Sequence, residues 1–162
     1  MNPLEKAFQL IKEHPDLWSK DYSEPATEES IKLAEELIGR QFPEEYRDFL
    51  HTFGDLEFGG NQIKGIWKNQ LDGGGESNVV STYLEYREEN YIPEYLVPIY
   101  SLGDGEEYCL NYNQLNRNGD PKITAYVPSP EEDYYPHEVL YDSFSECLLD
   151  LVDNAINGDL DW

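Results

Sequence analysis

Cysteine is scarce in this sequence, and its scarcity is the first constraint on what the protein can be. Two cysteines, Cys109 and Cys147, occur among 162 residues, and they stand far apart in apolar surroundings. They form neither a C-x-x-C motif nor a disulfide framework, so we interpret them as buried apolar residues in a reducing compartment. The first residues lack the long apolar segment of a signal peptide, and no run approaches the ~20 apolar residues that span a bilayer. We therefore expect a cytoplasmic protein.

Basic residues are also few. Eleven Lys and Arg stand against 34 Asp and Glu, which gives a formal net charge of −23 at pH 7. Such a surface repels nucleic acid phosphates and anionic lipid headgroups, so direct binding to DNA, RNA or a membrane is disfavoured. A cationic partner is favoured, and nucleases are one class of cationic protein. The simpler alternative is that the acidity serves solubility alone.

Motifs for phosphate binding, metal binding and catalysis are absent from the sequence as well. The glycine run 73–75 lacks the Lys-Ser/Thr that follows it in a phosphate-binding loop. The three histidines are His14, His51 and His137, and none has the spacing of a metal site. A chain with 34 acidic residues contains acidic pairs by chance, so such pairs do not indicate a glycosidase. We predict no catalytic residue, no metal ion and no cofactor.

Two acidic turns are near misses for calcium loops. The segment 103–107 carries acidic residues, but a calcium loop needs oxygen ligands at regular alternate positions and a closing bidentate Glu. The segment 116–120 fails in the same way, because Ala125 stands where that Glu is expected. We interpret both segments as solvated turns.

The sequence does contain enough apolar material for a core. Hydrophobic residues make up 39% of it and aromatic residues 14%, which is too much for a disordered acidic chain. A chain of 162 residues can bury a sizeable core without disulfides or metals, and it has a normal length for one domain. We predict a single domain over residues 1–162.

Apolar residues recur at helical spacing in four segments. These segments are residues 3–14, the stretch from Thr27 to Gly39, the stretch from Pro43 to Gly54 and the stretch from Ser143 to Gly158. Thr27 and Ser143 are residue types that cap helix N-termini, and Ser143 with Glu146 fits a capping box. Glycine suits the C-terminal ends, and proline suits the first position of a helix.

Between the third and fourth of these helices the pattern changes to short strands and turns. Predicted strands lie at residues 56–58, 63–67, 95–100, 108–112 and 122–127, and a short helix is predicted from Val79 to Arg87. Helices at both ends of a chain with hairpins between them indicate an α+β fold rather than alternating βαβ units.

Four groups of residues carry a family resemblance. The first comprises 31–35, 38–39 and 42–50; the second 53–54, 59–60 and 65–66; the third 96–99, 103–105 and 108–110; the fourth Ser143-Phe144 with its helix. Together and in this order they resemble the SUKH superfamily, which includes fungal cell-wall-assembly regulators and bacterial toxin-immunity proteins. Phe42 departs from the Leu common in the family, and Asp55-Leu56 stands where the family often has a glycine turn.

The resemblance implies an α+β fold with a central, mostly antiparallel sheet flanked by helices. It also implies function by binding rather than catalysis, because bacterial members typically block toxin domains, often nucleases. The motif residues Pro43, Tyr46, Phe49 and Gly54 are expected to determine the fold. The partner surface must then come from less patterned positions.

Three groups of residues combine acidic side chains with tyrosines or lie in presumed turns, and we predict that they bind the partner. The helix group is Glu85, Glu88, Glu89 and Tyr91; the turn group is Asp104, Glu106 and Glu107; the tyrosine group is Glu131, Glu132, Asp133, Tyr134 and Tyr135. The tyrosine group is preferred, because consecutive tyrosines in an acidic loop resemble binding-site composition. The predicted function is an immunity protein that captures a cationic toxin domain, a nuclease above all, through this acidic surface.

Two other functions stay open at this stage. A regulatory adaptor would recognise an endogenous protein and would give no protection against a toxin. A carboxylate-based hydrolase or small-ligand binder would need a pocket with convergent acids of perturbed pKa. The simpler interpretation of each acidic group is a solvated surface, and the toxin, the interface and the oligomeric state are open.

Overall fold

The computed structural model of the protein describes residues 1–72, 75–130 and 137–158, apart from the side chain of Glu76. The described residues form five α-helices and six β-strands. In chain order these are α1 (Pro3–Glu13), α2 (Glu28–Ile38), α3 (Glu44–Phe53), β1 (Leu56–Phe58), β2 (Asn61–Ile63), α4 (Val79–Glu88), β3 (Leu96–Ser101), β4 (Glu107–Leu115), β5 (Pro121–Tyr126), β6 (Val139–Tyr141) and α5 (Phe144–Asn157).

The six strands form one sheet in which each strand lies beside its neighbours in the sequence, in the order β1 to β6. All pairings among these strands are antiparallel. This confirms the predicted α+β class with a central antiparallel sheet. Strand β6 was not predicted, because its three residues are exposed or half-buried and show no alternating apolar pattern.

The helix ends follow the predicted capping chemistry. The Thr27 hydroxyl accepts a hydrogen bond from the Ser30 amide at 3.1 Å, and the Ser143 hydroxyl accepts one from the Glu146 amide at 3.2 Å. The carboxylate of Glu146 accepts from the Asp142 amide at 3.2 Å, one residue earlier than in a standard capping box. Gly39 ends α2 in the left-handed region, with φ +80°.

One face of the sheet is apolar and belongs to the main core, which includes buried residues from all five α-helices. Val97, Leu110 and Ile123 lie opposite one another on neighbouring strands and belong to this core. Above them Tyr46 and Phe49 of α3 are fully buried and pack against Phe144 of α5, with ring centroids 4.9 Å and 5.3 Å away. The helix motif therefore builds the core, as expected.

The opposite face of the sheet carries a smaller apolar cluster of Ile92, Leu96, Cys109 and Tyr126. Polar residues are buried next to this cluster. Those that the structure describes on β4 and β5 are Glu107, Asn111 and Thr124, and His137 lies nearby against the Tyr126 ring. This second face therefore buries hydrogen-bonding groups as well as apolar ones.

Candidate functional site

The structure places the helix group on an exposed face. Glu85 and Glu88 lie on α4, Glu89 follows its last turn, and all three are exposed. Tyr91 is 37% exposed. The tyrosine group, Glu131 to Tyr135, lies outside the described residues, so its place at a partner surface stays a prediction.

The turn group divides into a surface part and a buried part. Asp104 is exposed and Glu106 is half-buried in the turn between β3 and β4. The Asp104 carboxylate accepts a hydrogen bond from the Glu106 amide at 3.0 Å, and the Leu102 amide donates to the Glu106 carbonyl at 2.9 Å. These bonds hold the turn in a defined shape.

Glu107 does not lie on the exposed surface that the sequence analysis assigned to it. Its exposure is 2%, because β4 begins at this residue and the strand pairing sets it opposite Ser101 and Tyr126 on the polar face. The Ser101 hydroxyl donates to its carboxylate at 2.9 Å, and the Tyr86 hydroxyl lies 3.5 Å away. The adjacent Glu106 and Glu107 carry no sequence signal for where the turn ends and the buried strand begins.

A cavity of about 510 Å³ lies between α4 and this start of β4. It is lined by Lys64, Gly75, Ser81, Thr82, Glu85, Tyr86, Ser101 and Glu107. The cavity thus joins Glu85 of the helix group to Glu107 of the turn group, two residues that the sequence placed in separate patches. The other members of both groups do not line it.

Lys64 is the residue of this cavity that sequence reasoning missed. It is 1% exposed, and it follows β2 directly. Its amide donates to the Ile99 carbonyl at 2.8 Å, and its carbonyl accepts from the Tyr46 hydroxyl at 2.6 Å. One feature of the sequence could have indicated this residue: Lys64 is a lysine between Ile63 and Ile66. A charged residue within a short apolar hairpin is unusual unless it has a partner.

The N-terminal end of α4 is anchored to the sheet beside Lys64. The Gly65 amide donates to the Ser77 carbonyl at 2.9 Å, and the Val79 amide donates to the Gly65 carbonyl at 2.8 Å. A Cβ atom on Gly65 would lie 1.8 Å from the Gly54 carbonyl oxygen, so only glycine fits this approach. Asn78, which is fully buried, caps the helix by accepting from the Val80 amide at 3.0 Å.

The C-terminal end of α4 is also fixed. The Arg87 guanidinium donates to the Ile92 carbonyl at 2.6 Å, and the Tyr83 hydroxyl donates to the Glu94 carbonyl at 2.8 Å. The Tyr91 amide donates to the Tyr86 carbonyl at 2.8 Å. With both ends held, the helix that forms one wall of the cavity needs little rearrangement on binding.

The polar face continues beyond the cavity as a hydrogen-bonded network. The side-chain amide of Asn111 donates to the side-chain oxygen of Gln114 at 2.8 Å, and the His137 ring Nε2 lies 3.0 Å from the Tyr95 hydroxyl. Burial raises the pKa of the Cys109 thiol well above its usual value, with Glu107 adding to the effect. Cys109 is therefore a buried thiol without nucleophilic character at neutral pH, as the sequence analysis expected.

Asp55 is a second buried carboxyl, and it does not line the cavity. It is 4% exposed. Its Oδ2 accepts from the side-chain amide of Gln62 at 3.1 Å, and no described donor reaches its Oδ1. Burial raises its pKa to about 6. The charged form of Asp55 is thus poorly compensated at neutral pH.

Two other properties bear on function. Within residues 1–72, 75–130 and 137–158, no three His, Cys, Asp or Glu side chains lie close enough together to hold a metal ion. Of the helices in the same ranges, none combines the length and the apolar composition that crossing a membrane requires.

Comparisons with known proteins agree with this architecture. The family model described as SMI1-KNR4 cell-wall (SUKH_5) matches residues 4–153. A crystal structure of a protein from Pseudomonas syringae pv. tomato superposes with a TM-score of 0.55 over 76% of this chain and 87% of that chain. The two sequences are 16% identical, so this likeness concerns the fold alone. No curated protein matches the chain.

Proposed function

This chain belongs to the SMI1-KNR4 cell-wall family, and we propose that it is an immunity protein that binds a cationic toxin domain, with a nuclease as the first candidate. Family membership supports a toxin-immunity-type or SMI1/KNR4-like protein that acts through protein–protein interaction. Domains of this kind are generally not enzymes. The finer proposal rests on the charge and geometry of the surface around α4.

The observation that carries the proposal is the convergence of two acidic groups at one place. Glu85, Glu88 and Glu89 are exposed at α4, and Asp104 is exposed in the turn that leads into Glu107. Glu85 and Glu107 line the same cavity, which supports our assignment of the helix and the turn to one acidic surface. On a chain of net charge −23, such a surface attracts a cationic partner and accelerates its association.

The mechanism follows from what a nuclease active site must bind. Its cleft carries positive charge to hold substrate phosphates, and carboxylates of the inhibitor occupy the positions where those phosphates would lie. Tyr91 and Tyr86 supply aromatic surface beside the acids, and buried aromatic anchors slow dissociation. A protein that stops a toxin inside the cell acts in the cytoplasm, and we propose that location.

The alternative is a regulatory adaptor for an endogenous protein, which the cell-wall description of the family favours. An adaptor would use the same surface. It differs in having a stable cellular partner and in giving no protection against a toxin.

The test is titration calorimetry with a catalytically disabled toxin domain encoded beside this gene, over a series of salt concentrations. We expect one-to-one binding that weakens as salt rises. No binding at low salt to a toxin domain shown to be folded would reject that pair and make the adaptor the leading function.

A pair of matched triple variants locates the surface. The first changes Glu85, Glu88 and Glu89 to Gln, and the control changes Glu13, Glu29 and Glu36 to Gln. Both sets are exposed and remove the same charge. We expect slower association and a flatter salt dependence in the first variant alone; equal effects in both would mean that total charge, not this surface, drives binding.

The tyrosine group is tested separately by reversing the charge of Glu131, Glu132 and Asp133. Slower association with the toxin domain would support its place in the interface. Unchanged association kinetics would remove it.

A further inference from the structure

The chemistry of the cavity lining restricts what can occupy it. Every described side chain on its wall carries a hydrogen-bonding group: hydroxyls on Ser81, Thr82, Ser101 and Tyr86, carboxylates on Glu85 and Glu107, and an ammonium on Lys64. An apolar guest would take these groups out of water without replacing their hydrogen bonds, which is unfavourable for each group. The guest must therefore be polar.

The charges around the cavity favour a cation. Two carboxylates, of Glu85 and Glu107, face one ammonium, of Lys64. Lys64 and Glu107 are 1% and 2% exposed and both already have interactions within the protein, so the exposed carboxylate of Glu85 is the charge most accessible to a guest. Asp104 and Glu106 add negative charge in the turn next to Glu107. A cleft of low dielectric constant focuses this field at its opening.

The shape of the site suits a long side chain with a charged end. Glu85 is exposed at the opening and Glu107 is 2% exposed in the wall, so a guest that contacts both must reach inward from the surface. A volume of about 510 Å³ is ample for one side chain. A guanidinium carries five donors in a rigid fork, matches carboxylates in pairs and stacks on aromatic rings such as that of Tyr86.

We propose that this cavity receives an arginine side chain of the partner protein, as the anchor of the acidic interface. The inference rests on the proposed function, because a cationic partner is the source of the arginine. Glu85 meets the guanidinium at the opening, Glu107 and the Ser101 hydroxyl oxygen accept from it deeper in the wall, and Tyr86 supplies the aromatic face. Since both ends of α4 are held, the arginine enters a site that is already formed.

The first test needs no toxin. Nα-acetyl-arginine amide is titrated into the intact isotope-labelled protein, and backbone amide shifts are followed by NMR. We expect saturable shifts concentrated at Ser81, Thr82, Ser101 and Glu107, with millimolar affinity, on the order of −3 to −4 kcal/mol. The uncharged Nα-acetyl-citrulline amide is the control and should leave these amides unshifted. Shifts spread evenly over the acidic surface, or none, would overturn the proposal.

A matched pair of variants on one helix sharpens this test. E85Q and E89Q each remove one exposed carboxylate at α4, but Glu85 alone lines the cavity. We expect E85Q to weaken binding of the arginine amide by about 3–10-fold and E89Q by less than about 2-fold. Equal losses would assign the effect to the general field and overturn the cavity as the site. Both positions are exposed, so both variants should fold.

The outcomes separate this inference from the proposed function. If the toxin domain binds but the arginine amide does not enter the cavity, the anchor is wrong and immunity by acidic capture stands. If the arginine amide binds at the cavity but no toxin domain does, the anchor is supported and the partner is a different basic protein.

Discussion

On one face of the sheet Val97, Leu110 and Ile123 belong to an apolar core with residues of all five α-helices; on the other, Glu107 and Thr124 are buried beside Cys109. Both faces exclude water, but they do so with different chemistry. The first gains stability from apolar burial, which is non-directional and tolerates small shifts. The second depends on hydrogen bonds with defined geometry, because an unpartnered buried polar group is costly.

The two faces of this sheet also carry different features of the protein. The apolar face carries Tyr46 and Phe49 of the helix motif and provides the scaffold. The polar face holds the cavity and the buried side chains of Lys64 and Glu107. Burying ionisable groups is costly, and the binding role proposed for the cavity would account for their presence.

The largest expected effect on stability is that of a substitution at Gly65, which lies at the junction of the two faces. Gly65→Ala would place a Cβ atom 1.8 Å from the Gly54 carbonyl oxygen and displace the segment after β2 that holds α4. We expect a loss of at least about 4 kcal/mol in the free energy of unfolding, measured by urea denaturation, or no folded protein. Gly103→Ala is the control, because nothing lies within 4 Å of its Cβ position. A Gly65→Ala variant as stable as the control would show that the junction is not rigid.

The apolar face was largely predictable from the sequence, and the reason is that its signals are local. Thr27, Phe49, Gly54 and Ser143 follow helical spacing and capping rules that operate within a few residues. The pairings of β1 with β2, β3 with β4 and β4 with β5 could also be expected from the short connections between these strands. The family resemblance and the α+β class both rest on these local patterns.

The polar face could not be predicted, because its burial depends on contacts between distant segments. Glu107 is buried because β4 pairs with β3 and β5 in a register that sets it opposite Ser101 and Tyr126, and the pairing with β3 shifts between Pro98 and Tyr100. A shift of one residue would have turned Glu107 toward the apolar face instead. Lys64 likewise meets α4 only through the tertiary fold. The sequence analysis used charge and composition alone and therefore assigned Glu85 and Glu107 to separate patches.

The second prediction tests whether hydrogen bonds determine the stability of the polar face. Glu107→Ala removes the acceptor of the Ser101 hydroxyl and leaves polar groups buried around Lys64, so we expect a loss of about 1–3 kcal/mol in unfolding free energy. Glu107→Gln keeps an acceptor oxygen and should lose less. Both are measured by urea denaturation. A Glu107→Ala variant that is more stable than the native protein would contradict the comparison of the two faces.

The third prediction concerns Asp55, a buried charge at the β1 edge of the sheet. Its folded pKa of about 6 lies above the ordinary value of 3.8, so the folded protein binds the proton more tightly than the unfolded chain. The associated stability is complete below about pH 4 and is lost as pH rises through about 6. Burial is the main cause; among nearby charges, Glu57 also raises the pKa and Lys68 lowers it.

Asp55→Asn should therefore raise the unfolding free energy at pH 8 by about 1–3 kcal/mol and have much less effect near pH 4. Melting temperatures measured across this range report the difference. Asp48→Asn is the control, because it removes one carboxylate from an exposed position. An Asp55→Asn variant that loses stability at pH 8 would mean that the charged carboxylate is compensated.

The smallest expected effect on stability is that of substitutions at Asp104. Two of them separate the charge of this residue from its hydrogen bond in the turn. Asp104→Ala loses the hydrogen bond from the Glu106 amide and should cost about 0.5–1 kcal/mol in unfolding free energy. Asp104→Asn keeps an oxygen acceptor for that amide and removes the charge, so stability should be unchanged while association with a cationic partner slows. Urea denaturation and stopped-flow association measure the two quantities. If Asp104→Asn leaves association unaffected, the charge of Asp104 lies outside the interface.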